Sequence, residues 1–285
     1  MSKPRGIAYD ASLNALLSPG LANGFITAAV NPSIEALCAE LSRLVYRKFE
    51  LDHQCDSDLQ NTLKTMGLLK SERLLCDAES GTQAMGVMSR DTRRAFLVFR
   101  GSDDVLAYWT NFQFLPEDWE PQSIPGGQVH RGFSEALRSV LQPIEQWLKD
   151  VEGAELIVTG HSLGAALATL AAARWPFKRL VTFGSPRVGN QAFVASLQCG
   201  ITRYVDCCDF VTTVPPTALD YADAGPATYI DRDGGVHDRP IAMATFWDRL
   251  RARIRYPIDH ALRPLSVPVR DLADHAPINY LRALM

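Results

Sequence analysis

Ser162 is the residue whose setting in this sequence points most directly to chemistry. It lies between Gly160 and Gly164, after an apolar run rich in β-branched residues and before an alanine-rich, helix-forming run. Two flanking glycines let the backbone fold sharply, and a turn from strand to helix holds the serine hydroxyl at the mouth of a site. The alternative is an ordinary Gly-Ser loop between a strand and a helix. The intact strand–turn–helix context favours a nucleophile.

The elements that must position this serine are predicted from hydrophobic periodicity. Strands are predicted at 74–77, 83–89, 95–100, 179–183, 201–207 and 228–231, and helices at about 33–49, 58–69, 130–151 and 190–198. Pro143 is expected to kink the longest helix. This alternation predicts an α/β fold, with a mostly parallel central sheet, antiparallel leading strands and helices on both faces. Residues 1–31 are interpreted as an N-terminal arm and residues 32–285 as a single domain.

Four further segments accompany the serine motif. They are Phe99-Arg100-Gly101-Ser102, Val129-His130-Arg131-Gly132-Phe133, the run from Val181 to Asn190, and the run from Asp209 to Pro216. With the serine motif, they follow the order found in the fungal-type (class 3) lipase family of the α/β-hydrolase fold. The chain resembles that family from about residue 70 to residue 285, with the pattern of a bacterial-type member. The resemblance implies ester hydrolysis by a serine, a histidine base and a carboxylate, with no metal or organic cofactor.

The resemblance assigns the carboxylate to Asp209, because the segment that begins there matches the Asp segment of the family. Asp209 also follows a predicted strand, where α/β sheets place working groups. Two nearby carboxylates are alternatives. Asp206 is interpreted as a strand-end carboxylate, and Asp220 as a solvated loop charge.

The base must follow Asp209 if the chain keeps the order Ser, Asp, His of α/β-hydrolases. Three histidines satisfy this condition: His237, His260 and His275. His275 begins a segment similar to the terminal segment of bacterial members of the family, at the start of a final helix. His260 is expected on the surface of a connecting segment. His275 is therefore favoured as the base.

The oxyanion hole and a lid are also implied by the resemblance. The backbone N–H of Leu163 and the residue Ser102 are expected to hold the oxyanion. A lid that covers the acyl-binding groove would occupy 105–110, and the lid and acyl-binding residues would be Val105, Tyr108 and Trp109. Phe112 and Phe114, which alternate as in a strand, are expected in the core.

A helix pattern over 240–256 has an unusual distribution of charge. Met243, Phe246, Trp247, Leu250 and Ile254 share one face, with Arg249 and Arg253 on one flank and Arg251 and Arg255 on the other. The commoner explanation is a surface helix whose apolar face packs on its own domain. The alternative is an interfacial helix that places its arginines at the level of lipid headgroups.

Composition narrows the class of protein and its partners. A net charge of −3 and a pI near 6.1 give no indication of nucleic-acid binding. No apolar run is long enough for a membrane span, and none near the start has the quality of a Sec signal peptide. These features predict a cytoplasmic protein, or one exported by a non-Sec route.

The six cysteines lack metal-ligand spacing and are interpreted as buried, reduced thiols, with Cys207 and Cys208 pointing to opposite faces of a strand.

The sequence therefore predicts a serine ester hydrolase that acts on lipid acyl esters through an acyl-enzyme intermediate. A lipid or small ester is the expected substrate, with lipid-interface contact as a further possibility, and the oligomeric state is left open. One alternative within the same chemistry is a phospholipase A-type or short-chain esterase activity, because the motifs identify the reaction and not the leaving group. A catalytically silent lipid-binding relative is the alternative of a different class.

Overall fold

A mixed sheet of nine strands is the central feature of the computed structural model, which describes residues 6–27, 31–71, 73, 75–102, 113–119, 124–261 and 263–285. The strands are β1 (Leu68–Lys70), β2 (Leu75–Asp77), β3 (Thr82–Ser89), β4 (Arg94–Phe99), β7 (Glu155–His161), β8 (Arg179–Phe183), β9 (Gly200–Asp206), β10 (Ala227–Ile230) and β11 (Val236–Asp238). Their order is β1-β3-β4-β7-β8-β9-β10-β11, and β2 also pairs with β3. Two further strands, β5 (Pro116–Asp118) and β6 (Gln128–His130), form a separate pair.

Strand direction follows the predicted pattern. The five strands from β4 to β10 in sheet order are parallel, whereas β1, β2 and β3 are antiparallel at the leading edge and β11 is antiparallel at the other end. Across the sheet Phe99 pairs with Gly160, and His161 pairs with Phe183. The carboxyl ends of these strands therefore meet at one edge, where an α/β sheet places its functional groups.

Helices cover both faces of the sheet. They are α1 (Leu13–Leu17), α2 (Ile34–Leu44), α3 (His53–Thr65), α4 (Arg131–Ser139), α5 (Leu141–Asp150), α6 (Leu163–Arg174), α7 (Gln191–Ala195), α8 (Ala242–Tyr256), α9 (Arg270–Ala273) and α10 (Pro277–Arg282). One core cluster contains side chains of α2, α3 and α10, and the other contains side chains of α4, α5 and α6. Among the described residues, no helix is long and apolar enough to cross a membrane.

The predicted helix over 130–151 is two helices. The first ends at Ser139 and the second begins at Leu141. Pro143 explains the break, because a proline in a helix clashes with the carbonyl four residues earlier and has no N–H to donate to it. The proline therefore ends one helix and opens the next, rather than kinking a continuous one.

The segment predicted as an arm makes specific contacts with the rest of the chain. Ala15, Leu16 and Ile26 are buried in the same core cluster as α2. The buried guanidinium of Arg43 binds carbonyl oxygens of this segment, including that of Pro19 at 2.7 Å. The division into an arm and one domain stays a prediction.

The adjacent cysteines do not alternate as predicted. Because β9 ends at Asp206, Cys207 and Cys208 lie in the turn that follows, and their Sγ atoms are 3.7 Å apart. All six cysteines are free; Cys38, Cys207 and Cys208 are buried, and the other three are half-buried.

Candidate active site

Ser162 occupies a sharp turn between β7 and α6, with φ 59° and ψ −128°. A positive φ is uncommon for a residue with a Cβ and costs on the order of 1–3 kcal/mol. The packing around the turn must therefore stabilise this backbone conformation. The two glycines make this packing possible. A Cβ on Gly160 would lie 2.3 Å from the carbonyl of Gly164, and a Cβ on Gly164 would lie 2.2 Å from the carbonyl oxygen of Phe99.

His275 lies between Ser162 and Asp209. Its Nε2 is 2.9 Å from Ser162 Oγ, and its Nδ1 is 2.8 Å from Asp209 Oδ2. An ionised carboxylate only accepts, so Nδ1 carries the proton and Nε2 is left to accept one from the serine hydroxyl. All three side chains are buried. The structure thus brings together the three residues named from the motifs, and we refer to them as the Ser–His–Asp cluster.

The alternative carboxylates and histidines lie elsewhere. Asp206 is buried at the end of β9, and Asp220 is exposed. His237 is exposed and bonded to Asp231 at 2.7 Å, and His260 lies in the turn after α8. The carbonyl oxygen of Asp206 accepts from the backbone N–H of Asp209 at 2.8 Å, but within the described part of the chain no side chain of these four candidates hydrogen-bonds to the Ser–His–Asp cluster.

Tyr280 orients Asp209. It is the tyrosine of the terminal segment that contains His275, for which the resemblance named no role. Its hydroxyl donates to Asp209 Oδ2 at 2.5 Å and accepts from the backbone N–H of Asp206 at 3.1 Å. The backbone N–H of Val211 donates to the other carboxylate oxygen at 2.9 Å. Burial raises the pKa of Tyr280 well above its usual value, with Asp209 adding to the rise, so the phenol stays neutral and able to donate. Both oxygens of Asp209 are therefore fixed.

Gly184 makes room for the hydrogen bond between Asp209 and His275. Its φ is +57°, and a Cβ there would lie 2.7 Å from Asp209 Oδ2 and 3.0 Å from His275 Nδ1. These are the two atoms that bond to each other. The residue belongs to the Val181–Asn190 segment of the sequence, but the motif did not indicate its role.

His161, next to the nucleophile, supports the backbone of His275. Its Nε2 donates to the His275 carbonyl oxygen at 2.7 Å, and its Nδ1 accepts from the hydroxyl of Tyr46 at 2.9 Å. Burial lowers the pKa of His161 well below its usual value, and the nearby His275 lowers it further. A neutral ring with one donor and one acceptor satisfies both bonds. His161 therefore links the segment after α2 to the turn that carries His275.

The two predicted oxyanion residues face one cavity. Ser102 and Leu163 both line a cavity of about 590 Å³, together with Gly101 and Leu167. Gly101 is confined here, because a Cβ on it would lie 2.0 Å from the hydroxyl oxygen of Tyr46.

The predicted lid and acyl-binding residues Val105, Tyr108 and Trp109, and also Phe112, lie outside the described residues. Phe114, expected in the core, is 36% exposed. It belongs to the short loop before β5 rather than to a strand of the main sheet. Alternating residues are buried only where a strand turns one face to a core, so the alternation did not predict burial correctly here.

Three groups in the described residues are close enough together to hold a metal ion: Cys207, Cys208 and Asp274. The Asp274 carboxylate accepts from Tyr9 at 2.8 Å and forms an ion pair with Arg270 at 3.0 Å. The hydrogen bond with Cys208, together with burial, raises the pKa of Cys207, which keeps the thiol protonated. Hydrogen bonds and an ion pair engage all three residues of this cluster in the structure.

Asp206→Asn is expected to raise the melting temperature by several degrees at pH 7. Burial raises the pKa of Asp206 well above 3.8, and Asp274 adds to the rise. The folded chain then keeps a proton that the unfolded chain releases above about pH 3.8, so this carboxyl costs stability as the pH rises from there toward the folded-state pKa. Asparagine has no such proton to lose.

Thermal unfolding at pH 7 and pH 4.5 measures the effect, and the gain should shrink at the lower pH. The exposed Asp220→Asn is the control and should leave both melting temperatures unchanged. A lower melting temperature for Asp206→Asn at pH 7 would show that the buried carboxyl is charged and stabilising.

Comparison with known proteins finds a family match over part of the chain. Residues 96–219 match the family described as Lipase (class 3). The chain is 36% identical over 171 residues to "Secreted mono- and diacylglycerol lipase 1" of Fusarium solani. The aligned region covers 55% of this chain and 50% of the relative. It is 31% identical over 165 residues to a lipase of Rhizomucor miehei, covering 52% of this chain and 45% of the relative. The chain thus spans about half the length of the curated relatives that it matches.

A solved structure supports the fold. The chain is similar to the native Rhizomucor miehei lipase propeptide complex, with a TM-score of 0.56 and 26% identity, over 69% of this chain and 66% of that one. The predicted α/β-hydrolase fold, with its mixed central sheet and helices on both faces, is confirmed. These relatives are fungal, so the predicted bacterial-type membership is not borne out.

The predicted location is wrong. A cytoplasmic protein, or one exported by a non-Sec route, was expected, but relatives of the chain are named as secreted lipases. Targeting signals are addresses read by receptors, and the composition of a folded domain does not encode them. Composition and hydropathy therefore could not decide the location.

Proposed function

We propose that this chain hydrolyses carboxylic esters of lipids, acylglycerols among them, because residues 96–219 match the family described as Lipase (class 3). The observation that carries the proposal is the pair of hydrogen bonds that connects Asp209 through His275 to Ser162. Relatives named as mono- and diacylglycerol lipases support this substrate class, and a relative named as secreted supports export of this chain.

In the proposed mechanism, His275 Nε2 takes the hydroxyl proton of Ser162 as Oγ attacks the acyl carbonyl carbon. The backbone N–H of Leu163 and the residue Ser102 stabilise the oxyanion, each donor being worth about 3 kcal/mol of barrier. His275 then protonates the alkoxy oxygen, the ester C–O bond breaks, and the alcohol leaves an acyl-serine. Water, deprotonated by His275, attacks this intermediate and releases the acid. Asp209, held by Tyr280, stabilises the imidazolium in both halves.

Hydrolysis by the purified chain tests the function. The substrates are p-nitrophenyl esters of increasing acyl length, emulsified triacylglycerol and phospholipid vesicles, and a fluorophosphonate probe reports the nucleophile. We expect ester hydrolysis and probe labelling that Ser162→Ala abolishes. A chain that neither hydrolyses any ester nor reacts with the probe would be a silent lipid-binding relative. Faster turnover of phospholipid than of acylglycerol would make it a phospholipase.

We also propose that the segment 105–110 is a lid, on the strength of the sequence resemblance. A closed lid shelters apolar surface, and moving a tryptophan side chain out of its pocket costs a few kcal/mol at about 25 cal/mol per Å², which a lipid interface could offset. Trp109→Ala should therefore keep turnover of a soluble short ester and lose several-fold on emulsified long-chain substrate. Equal losses on both substrates with a lowered melting temperature would instead identify Trp109 as a core residue.

A further inference from the structure

Helix α8 turns its apolar face away from the protein. On the side that meets the domain, Ala252 and Tyr256 are buried. On the opposite side five large apolar side chains are exposed: Met243 is 65% exposed, Phe246 57%, Trp247 49%, Leu250 36% and Ile254 65%. The expectation that this face packs on its own domain is therefore wrong, and the helix is attached through its small and polar side.

The exposed side chains form one continuous surface. At 3.6 residues per turn, the five lie within an arc of about 100° opposite Ala252 and Tyr256. Ile241 extends this surface at one end of the helix and Ile258 at the other, with 76% and 79% exposed. The rings of Phe246 and Trp247 pack edge to face near its centre, 5.4 Å apart. A large contiguous apolar patch on a protein surface is typical of a site that binds another protein, a membrane or a ligand.

Arginines border the apolar surface on both sides. Arg251 and Arg255 are exposed along one edge and Arg253 along the other. Residues 239–261 contain five arginines and two aspartates, in a chain whose net charge is −3. Four of these arginines are exposed, Arg239, Arg251, Arg253 and Arg255, and two of the four also form ion pairs, Arg253 with Asp271 and Arg255 with Asp259. Arginine heads at the edge of an apolar face match the boundary between acyl chains and anionic headgroups.

We propose that α8 is an anchor that lies on an anionic lipid surface, with its apolar face between the acyl chains and its arginines at the headgroups. This anchor rests on the proposed function in one respect: the lipid surface that α8 binds would also hold the ester substrate. A second copy of the chain fits less well. In a two-fold symmetric contact a patch meets itself, which would place the positive edges of the two copies against each other.

The anchor is fastened to the segments that carry the Ser–His–Asp cluster. The guanidinium of Arg249, which points toward the domain, donates to the carbonyl oxygen of Cys207 at 2.7 Å, two residues before Asp209. Arg253 forms an ion pair with Asp271 in α9, the helix that precedes His275. Lipid bound by α8 would therefore lie beside the carboxyl ends of the strands, at the same end of the sheet as the site.

Vesicle co-sedimentation tests the anchor. The Ser162→Ala chain is mixed with phosphatidylglycerol or phosphatidylcholine vesicles, so that hydrolysis does not alter the lipid. We expect binding to phosphatidylglycerol, weaker binding to phosphatidylcholine, and at least a tenfold loss of binding for the double variant Phe246→Glu/Ile254→Glu. The control double variant Leu21→Glu/Leu51→Glu adds the same charge at side chains that are 75% and 74% exposed, and should bind as the parent does. Arg251→Gln/Arg255→Gln should reduce the preference for phosphatidylglycerol.

Unchanged binding by Phe246→Glu/Ile254→Glu would overturn the proposal, and so would equal binding to the two lipids. The Ser162→Ala chain could instead fail to bind vesicles and form a dimer in sedimentation velocity. If Phe246→Glu/Ile254→Glu then dissociated that dimer, the surface would be assigned to a second copy. Failure of the proposed function is a separate result, because it is read from soluble-ester turnover by the unmodified chain. In that assay Phe246→Glu/Ile254→Glu should stay within about twofold of the unmodified chain.

Discussion

Replacing Ser162 or His275 by alanine is expected to lower the turnover of a soluble ester by about 10⁴-fold or more, whereas His260→Ala leaves it unchanged. The reason is geometric. His275 Nε2 is 2.9 Å from Ser162 Oγ, and no other residue is proposed to take that proton. His260 instead stacks near Tyr256, with their ring centroids 5.2 Å apart, and has no contact with the nucleophile in the described structure.

Initial rates on a short p-nitrophenyl ester measure this prediction, and circular dichroism verifies that each variant folds. Asp209→Ala should fall by several orders of magnitude too, because the imidazolium loses the carboxylate that bonds to its Nδ1 at 2.8 Å. The double variant Ser162→Ala/His275→Ala should be about as slow as either single variant, since the two act as a unit. A His260→Ala variant that loses activity while His275→Ala keeps it would reverse the assignment of the base.

Gly184→Ala is expected to lower turnover by about 10²-fold, although the residue takes no part in the chemistry. The added Cβ would lie 2.7 Å from Asp209 Oδ2 and 3.0 Å from His275 Nδ1. One or both side chains must move by several tenths of an ångström, and a misplacement of about 1 Å in a catalytic group can cost 10²-fold. The loss should appear in kcat rather than in KM, because the substrate's own contacts are not displaced.

Backbone strain is a separate effect of the same substitution and needs its own control. Gly153 also has a positive φ, at +79°, and its Cβ would meet only the end of the Arg93 side chain, at 3.3 Å. Gly153→Ala should therefore lower the melting temperature through strain and leave turnover unchanged. If Gly184→Ala loses no more activity than Gly153→Ala, Gly184 is required for the turn alone and not for the Asp209–His275 bond.

Local sequence determined the parts of the fold that depend on short-range rules. The apolar run before Ser162 and the alanine-rich run after it predicted β7 and α6, because strand and helix periodicities are properties of adjacent residues. The strand at 179–183 was predicted at its observed bounds. The predicted helix at 58–69 was displaced, since Asp52 caps α3 at His53 and Leu68–Lys70 joins the sheet as β1. Edge pairing with a distant strand is not encoded in local periodicity.

Sequence motifs also identified the three residues of the Ser–His–Asp cluster, because each one stands at the end of an element in a recurrent order. The contacts that hold these three side chains in place could not be predicted from the motifs. Tyr280 touches Asp209 across 71 positions, and Tyr46 touches His161 across 115. Tyr280 is the tyrosine of the terminal motif that contains His275, but the motif does not show what its hydroxyl contacts. Tyr46 lies in none of the motifs. Gly184 lies in one of the motifs, but the need for a glycine there arises from the side chains of Asp209 and His275, which come from later segments.

The direction in which α8 faces was decided by tertiary structure alone. Its sequence shows which side chains share a face, since that follows from 3.6 residues per turn. The same pattern is compatible with an apolar face turned inward or outward, and the helical period contains no reference to the rest of the protein. Arg249 bonding to Cys207 and Ala252 meeting the domain orient the helix outward. Periodicity defines faces, whereas contacts between distant segments decide what each face meets.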